Sequence, residues 1–269
     1  MENDGLDEDG FIRNSGSLDK IPERFTAVLK FVQNAVESQF GQEMHSLYVY
    51  GSVASGKARP KLSDLDVFIV FKNDVSPQNK ESVVQLEKKL SHKFLSEVRE
   101  VGIACASVPE IFEGDNQVGW GCFIKHMCVC LSGENLATAL PKFEPTRAVA
   151  FGLNGDLKQE MEKVRTAMSE RSDATINKTV MSFSRKMVRT AFGLVIEEAH
   201  CWTTDLNECA TIFESYYPEH VTQIRQTLEI AKGAPVDCDK FLILLDGFGC
   251  WLAEEIDRKL LPFASQNII

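Results

Sequence analysis

Asp64 and Asp66 stand two residues apart, and a Gly-Ser pair, Gly51-Ser52, precedes them with eleven residues between Ser52 and Asp64. Side chains two apart on a strand leave the same face, so the two carboxylates can share divalent cations. Such a pair suits in-line displacement at phosphorus, where bound metals neutralise a triphosphate and stabilise the attacking and departing oxygens. Gly51 lets a phosphate approach the backbone, and Ser52 offers a hydroxyl and an amide if a helix starts at Val53. Another phosphate chemistry can be spelled from the same letters, since Gly51-x4-Gly56-Lys57 has most of a Walker A loop. Its context opposes that reading. Ala58 stands where the metal-holding Ser or Thr should be, and Arg59-Pro60 disfavours the helix that would have to begin there.

These residues need strands to hold them, and the flanking segments supply strand patterns. Leu47-Tyr48-Val49-Tyr50 is a β-rich run ended by Gly51, and Leu65 to Phe71 is a second, rich in Val, Ile and Phe. Apolar residues at Phe25, Val28, Leu29, Val32 and Val36 predict an amphipathic helix over 21–40, with Pro22 in its first turn. Val83, Val84, Leu86, Leu90 and Phe94 predict another over 79–96. A third strand is expected over 98–108 and a fourth over 122–131. From 147 to 261 the periodicity is helical, with breaks near Ser172, Thr203, Pro218 and Gly233-Pro235.

The length of 269 residues fits two packed domains. The expected class is α+β: a small mixed sheet flanked by helices over 20–143, then an all-α helical bundle over 144–269. Residues 1–19 carry Glu2, Asp4, Asp7, Glu8 and Asp9 and few large apolar groups, which predicts a flexible acidic tail.

Composition excludes several function classes. A net charge of −10 without a Lys/Arg block argues against a long nucleic acid. Carboxylates that gather Mg²⁺ are nonetheless compatible with nucleotide use. No apolar run reaches a membrane span, and the acidic N-terminus is unlike a secretory signal, so the expected location is cytoplasmic. Eight cysteines show no CxxC pair and read as buried reduced thiols. Cys128, Cys130 and His126 are the nearest approach to a zinc site and are better read as a plain strand.

Gly-Ser, a spacer, then Ser63-Asp64-Leu65-Asp66 entering an apolar strand resembles the signature of the DNA polymerase β-like nucleotidyltransferase superfamily. The order of a catalytic domain followed by a helical bundle resembles its small-molecule members, of the aminoglycoside or kanamycin type. The resemblance implies a nucleotide site at Gly51, Ser52 and Ser63, with Asp64 and Asp66 holding Mg²⁺, two ions being expected. Such enzymes commonly add a third carboxylate from a neighbouring strand. Glu100 is the candidate, because it shares a face with the small residues Gly102 and Ala104 while Val101, Ile103 and Cys105 face the core. Arg99-Glu100-Val101-Gly102-Ile103 resembles the Glu-Val-x-Ile strand of streptomycin-type adenylyltransferases, which implies a general base or a further metal ligand at Glu100. Glu97 competes for that role.

In the helical half, Val188, Phe192, Val195 and Ala199 form one stripe and Arg185, Lys186 and Arg189 an adjoining basic face. Lys186 and Arg189 could grip a triphosphate, or could equally pair with nearby acids as a solvated face. Thr203-Thr204-Asp205-Leu206 reads as a helix N-terminus capped by Thr or Asp. Together with Cys209 and Tyr216-Tyr217-Pro218 it is similar to a segment of nucleotidyltransferases of unassigned substrate. The helical RNases modified by toxin-antitoxin nucleotidyltransferases carry an Arg with a His close behind it. Here His200 follows Arg189 by eleven residues, so the bundle is not itself such an RNase.

The expected activity is NMP transfer, AMP from ATP or another NTP, to a hydroxyl of a small-molecule acceptor held between the domains, with pyrophosphate released. An aminoglycoside-like acceptor is one expectation. The alternatives are AMP attachment to a protein partner, or a nucleotide-binding regulatory module without turnover.

Overall fold

The computed structural model describes residues 5–114, 116–169 and 173–260. Contacts divide it into two units, Arg13–Phe143 and the residues up to Ile12 joined with those from Glu144 onward.

In the first unit, α1 (Glu23–Phe40) starts after Pro22, which is its N-cap residue, and buries Phe25, Val28, Leu29, Val32, Val36 and Phe40. It leads into β1 (Met44–Tyr50), the single-turn helix α2 (Gly51–Ala54) and β2 (Leu65–Phe71). Helix α3 (Pro77–Lys93) begins where the Ser76 hydroxyl oxygen accepts the Asn79 N–H, with proline at its first turn. It crosses to β3 (Val101–Ser107), parallel to β2, whereas β1 is antiparallel to both β2 and β4 (Cys128–Gly133). The sheet is therefore mixed, in the order β3-β2-β1-β4.

Helices cover both faces of the sheet. Val49, Val67, Ile69 and Ile103 pack in one cluster with α1 and α3 residues. Tyr48, Phe68, Val70 and Ala106 pack on the other face with Ile111 and Ile124, from α4 (Val108–Glu113) and α5 (Gln117–Met127). The outer edge of β3 is closed by α3: the Val101 N–H donates to Ser91 Oγ at 3.0 Å and the Ile103 N–H to Glu87 Oε2 at 2.9 Å. Side chains thus satisfy edge donors that would otherwise invite pairing with another strand.

Two expectations for this unit are corrected. Residues 122–127, expected in the fourth strand, are helical, and β4 begins only at Cys128. The Asn116 side chain caps α5 through the Gly119 N–H, and Val118, Cys122 and Ile124 turn inward from the helix, a short apolar run that periodicity alone does not separate from a strand. Val84, expected to face inward, is 48% exposed, and Val83, Leu86 and Leu90 make the buried stripe. Residues 5–19, part of the expected acidic tail, make defined contacts. Leu6 and Ile12 are buried and bridge each other. Asn14 Nδ2 donates to the Cys128 carbonyl at 2.9 Å, and the Ser17 N–H to that of Ala54 at 3.1 Å. A few well-placed apolar and amide groups outweigh the acidic composition of the segment.

The second unit is helical. It contains α6 (Arg147–Asn154), α7 (Leu157–Ser169), α8 (Asp173–Gly193), α9 (Ile196–Ala199), α10 (Leu206–Tyr216), α11 (Val221–Ala231), α12 (Cys238–Leu244) and α13 (Cys250–Lys259), with a π-helical turn, Leu245–Gly249, joining the last two. Breaks fall as expected around Thr203, Pro218 and 233–235, while Ser172 lies outside the described residues. Asp205 caps α10 by accepting the Asn207 and Glu208 N–H groups, as its sequence context implies. Val188, Phe192 and Val195 are buried, but α8 ends at Gly193, so the stripe continues across a break rather than along one helix. No described helix is long and apolar enough to cross a membrane.

Candidate active site

The end of β1 and the start of β2 meet because Tyr50 is paired with Asp66 in the antiparallel ladder. On the other side, Asp66 is paired with Gly102 of β3. The carboxylate is consequently bracketed by two glycines. A Cβ on Gly51 would stand 2.9 Å from Asp66 Oδ2, and one on Gly102 would stand 2.9 Å from Oδ1. Gly51 also has φ +72°, a left-handed conformation that favours glycine, as it turns the chain from β1 into α2. Helix α2 starts at Gly51, two residues earlier than the expected start at Val53, and Ser52 lies in its half-buried first turn. First-turn amides have no carbonyl partner within a helix. No helix begins at Ala58, so the Walker A reading has no structural counterpart.

The loop from Gly56 to Ser63 is braced from within. Ser63 Oγ accepts the Arg59 N–H at 2.9 Å, and the Ser63 N–H donates to the Arg59 carbonyl at 2.9 Å. Ser63, expected at the nucleotide, therefore also closes the loop that delivers Asp64.

Parallel pairing of β2 with β3 continues before both strands begin: the Arg99 N–H donates to the Ser63 carbonyl at 3.0 Å and the Leu65 N–H to the Glu100 carbonyl at 2.9 Å. Val101 is opposite Leu65, so the ladder run backwards sets Glu100 beside Asp64. Glu97 lies in the turn after α3, where its carboxylate accepts the Ser96 hydroxyl at 2.6 Å and its carbonyl accepts the Lys61 N–H at 2.9 Å.

Asp64 does not point at open space. Arg99 Nε donates to its Oδ1 at 2.8 Å and Arg99 Nη2 bonds its Oδ2, a two-pronged ion pair whose side chains are 34% and 21% exposed. An ion pair this accessible contributes roughly 0–1 kcal/mol, so it can be exchanged for another partner. Sequence reasoning missed Arg99. Its one available signal is position, directly before Glu100 at the mouth of β3.

Among the described residues no three His, Cys, Asp or Glu side chains converge as a ready metal set. The donor chemistry of Asp64 and Asp66 still fits Mg²⁺, which takes carboxylate oxygens and keeps several waters, and neither Gly51 nor Gly102 brings a Cβ against the Asp66 oxygens. His126 is accounted for otherwise, its Nε2 accepting the buried Phe143 N–H at 2.9 Å. All eight cysteines are free thiols.

Beyond Asp66 the same sheet face becomes aromatic. Phe68 stacks on Trp120 with centroids 5.4 Å apart, and Tyr50 meets Phe123 edge-on at 5.0 Å. Lys186 and Arg189 lie on α8 of the helical unit, where Lys186 Nζ is paired with Asp156 at 2.5 Å and Arg189 is exposed.

Residues 30–113, which hold this constellation, match the family described as the nucleotidyltransferase domain. No curated protein matches the sequence. Among solved structures, the chain is similar to spectinomycin adenyltransferase from Enterococcus faecialis, determined with ATP and spectinomycin. The TM-score is 0.54 at 12% identity, over 86% of this chain and 98% of that one, which is a likeness of fold.

Proposed function

We propose that this chain, whose residues 30–113 match the nucleotidyltransferase domain, moves AMP from ATP to a hydroxyl of a small molecule in a Mg²⁺-dependent reaction. The observation that carries the reading is the Asp66 carboxylate bracketed by Gly51 and Gly102, with Asp64 two residues away and the Gly51-Ser52 turn alongside.

Each residue then has a task. The Gly51-Ser52 turn brings free amides and a hydroxyl to the β- and γ-phosphates, which leave as pyrophosphate. Asp64 and Asp66 would hold divalent cations, which when bound neutralise the triphosphate and favour in-line attack at the α-phosphorus. Glu100, beside Asp64 in the ladder, would accept the proton of the acceptor hydroxyl as its oxygen bonds to phosphorus. Gly102 and Ala104 leave room on that face for the acceptor.

The acceptor class follows from the shared fold and the charge of the chain. The fold is shared with an enzyme solved with spectinomycin, and an acidic protein attracts polycations, so an amino-substituted sugar or cyclitol is the first acceptor to try.

The test incubates the protein with Mg²⁺, α-³²P-labelled nucleotides, a panel of aminoglycosides and aminocyclitols, and a cell extract, beside Asp64→Asn and Asp66→Asn. Label on a small molecule, abolished in both variants, is the expected result. Label on a polypeptide would move the acceptor to a protein. Tight nucleotide binding without transfer would make the domain a binding module and sink the proposal.

A further inference from the structure

We infer that Arg99 governs metal loading at the proposed site: its guanidinium holds both oxygens of Asp64 until a divalent cation arriving with a nucleotide replaces it. The inference rests on the reading of Asp64 as a metal ligand and adds how that ligand is guarded.

The geometry sets up a competition. The guanidinium fork engages Oδ1 through Nε at 2.8 Å and Oδ2 through Nη2, a match that lysine, a point charge, cannot reproduce. The backbone keeps the partners together, since the Arg99 N–H donates to the Ser63 carbonyl at 3.0 Å, next to Asp64. Both side chains are reached by solvent, at 34% and 21% exposure.

A bare divalent cation approaching Asp64 must break the two-pronged pair and also sit beside the positive charge it displaced. A cation arriving with a triphosphate brings anionic oxygens that give the released guanidinium new acceptors. Arg99 is thus a positioning residue that couples metal binding to nucleotide binding, so that Asp64 is charged with metal only when substrate is present. A merely structural role, bracing the start of β3, predicts no effect on metal affinity.

The experiment measures Mn²⁺ binding to the full chain by the loss of the free-ion electron paramagnetic resonance signal, with and without a non-hydrolysable ATP analogue. The proteins are wild type, Arg99→Gln, Arg99→Lys, Asp64→Asn and Arg99→Gln/Asp64→Asn, each checked for folding by circular dichroism. Without nucleotide, Arg99→Gln should bind Mn²⁺ about fivefold more tightly than wild type, the size of an exposed charge pair. Arg99→Lys should fall between them, and the analogue should tighten Mn²⁺ binding less in Arg99→Gln than in wild type. The double variant should lose the gain. Unchanged or weaker Mn²⁺ binding in a folded Arg99→Gln, or a gain that persists without Asp64, would overturn the inference. Should Arg99→Gln unfold, Arg99→Lys carries the same test. Failure of the transferase reading shows separately, as absence of label transfer by the wild type.

Discussion

The Cβ that Gly102 lacks would lie 2.9 Å from Asp66 Oδ1, although the two residues are 36 positions apart and on different strands. The obstacle a methyl group would meet is the tip of a side chain that can rotate, not backbone. Gly102→Ala should therefore leave the fold intact while turning the carboxylate from its place. A misplacement of about 1 Å can cost on the order of 100-fold in rate, so kcat should fall at least about tenfold with little change in Tm. A variant with wild-type kcat would show that the cradle does not set the position of Asp66.

Ile12 tests the N-terminal segment. It is 2% exposed and belongs to the unit formed with the helical residues. Truncating a buried isoleucine to alanine costs roughly 2–5 kcal/mol. Ile12→Ala should lower the urea midpoint accordingly, whereas a free tail would leave it unmoved.

Tyr48 is fully buried, and its hydroxyl oxygen accepts the Leu136 N–H at 2.8 Å. Burial raises its pKa, so the hydroxyl stays protonated across the neutral range. Tyr48→Phe keeps the ring and strands a buried donor, at a cost of about 1–3 kcal/mol. Chemical denaturation should show that loss, with the Phe68 face of the sheet still formed by circular dichroism.

Cysteine reactivity reports on packing in both units. Burial pushes the Cys122 and Cys128 thiols well above their ordinary range and Cys209 up to about 12, while Cys238 is exposed. A pKa raised this far leaves these three protonated and unreactive at pH 8. A disulfide reagent at pH 8 should modify Cys238 first and reach Cys122, Cys128 and Cys209 only as the protein unfolds. Rapid native labelling of Cys209 would contradict the packing of α10.

Much of the architecture was legible in residue patterns. Strand β2 was expected over Leu65 to Phe71 and is found there, because Val67 to Phe71 is an unbroken run of five strand-favouring residues buried on both faces. Helix α5 was not legible: Cys122 to Met127 is as apolar as a strand, and what makes it helical is the Asn116 cap and the partners it meets on the sheet face. The packing of Leu6 and Ile12 was hidden for a similar reason, since a composition average says nothing about two residues that find a bridge and a core.

The sequence by itself determined the chemistry on offer: two aspartates at strand spacing after a Gly-Ser turn, with a glutamate ahead of the next apolar run, a local pattern set by residue type and periodicity. Only the tertiary structure decided what surrounds those groups. Gly102 comes from a strand joined to β2 through α3, and Arg99 comes from the turn before it, so neither is near Asp64 or Asp66 until the parallel pairing of β2 and β3 forms. Sequence spacing reports which side chains share a face, but contacts across strands depend on register, and register is settled by which faces can be buried together.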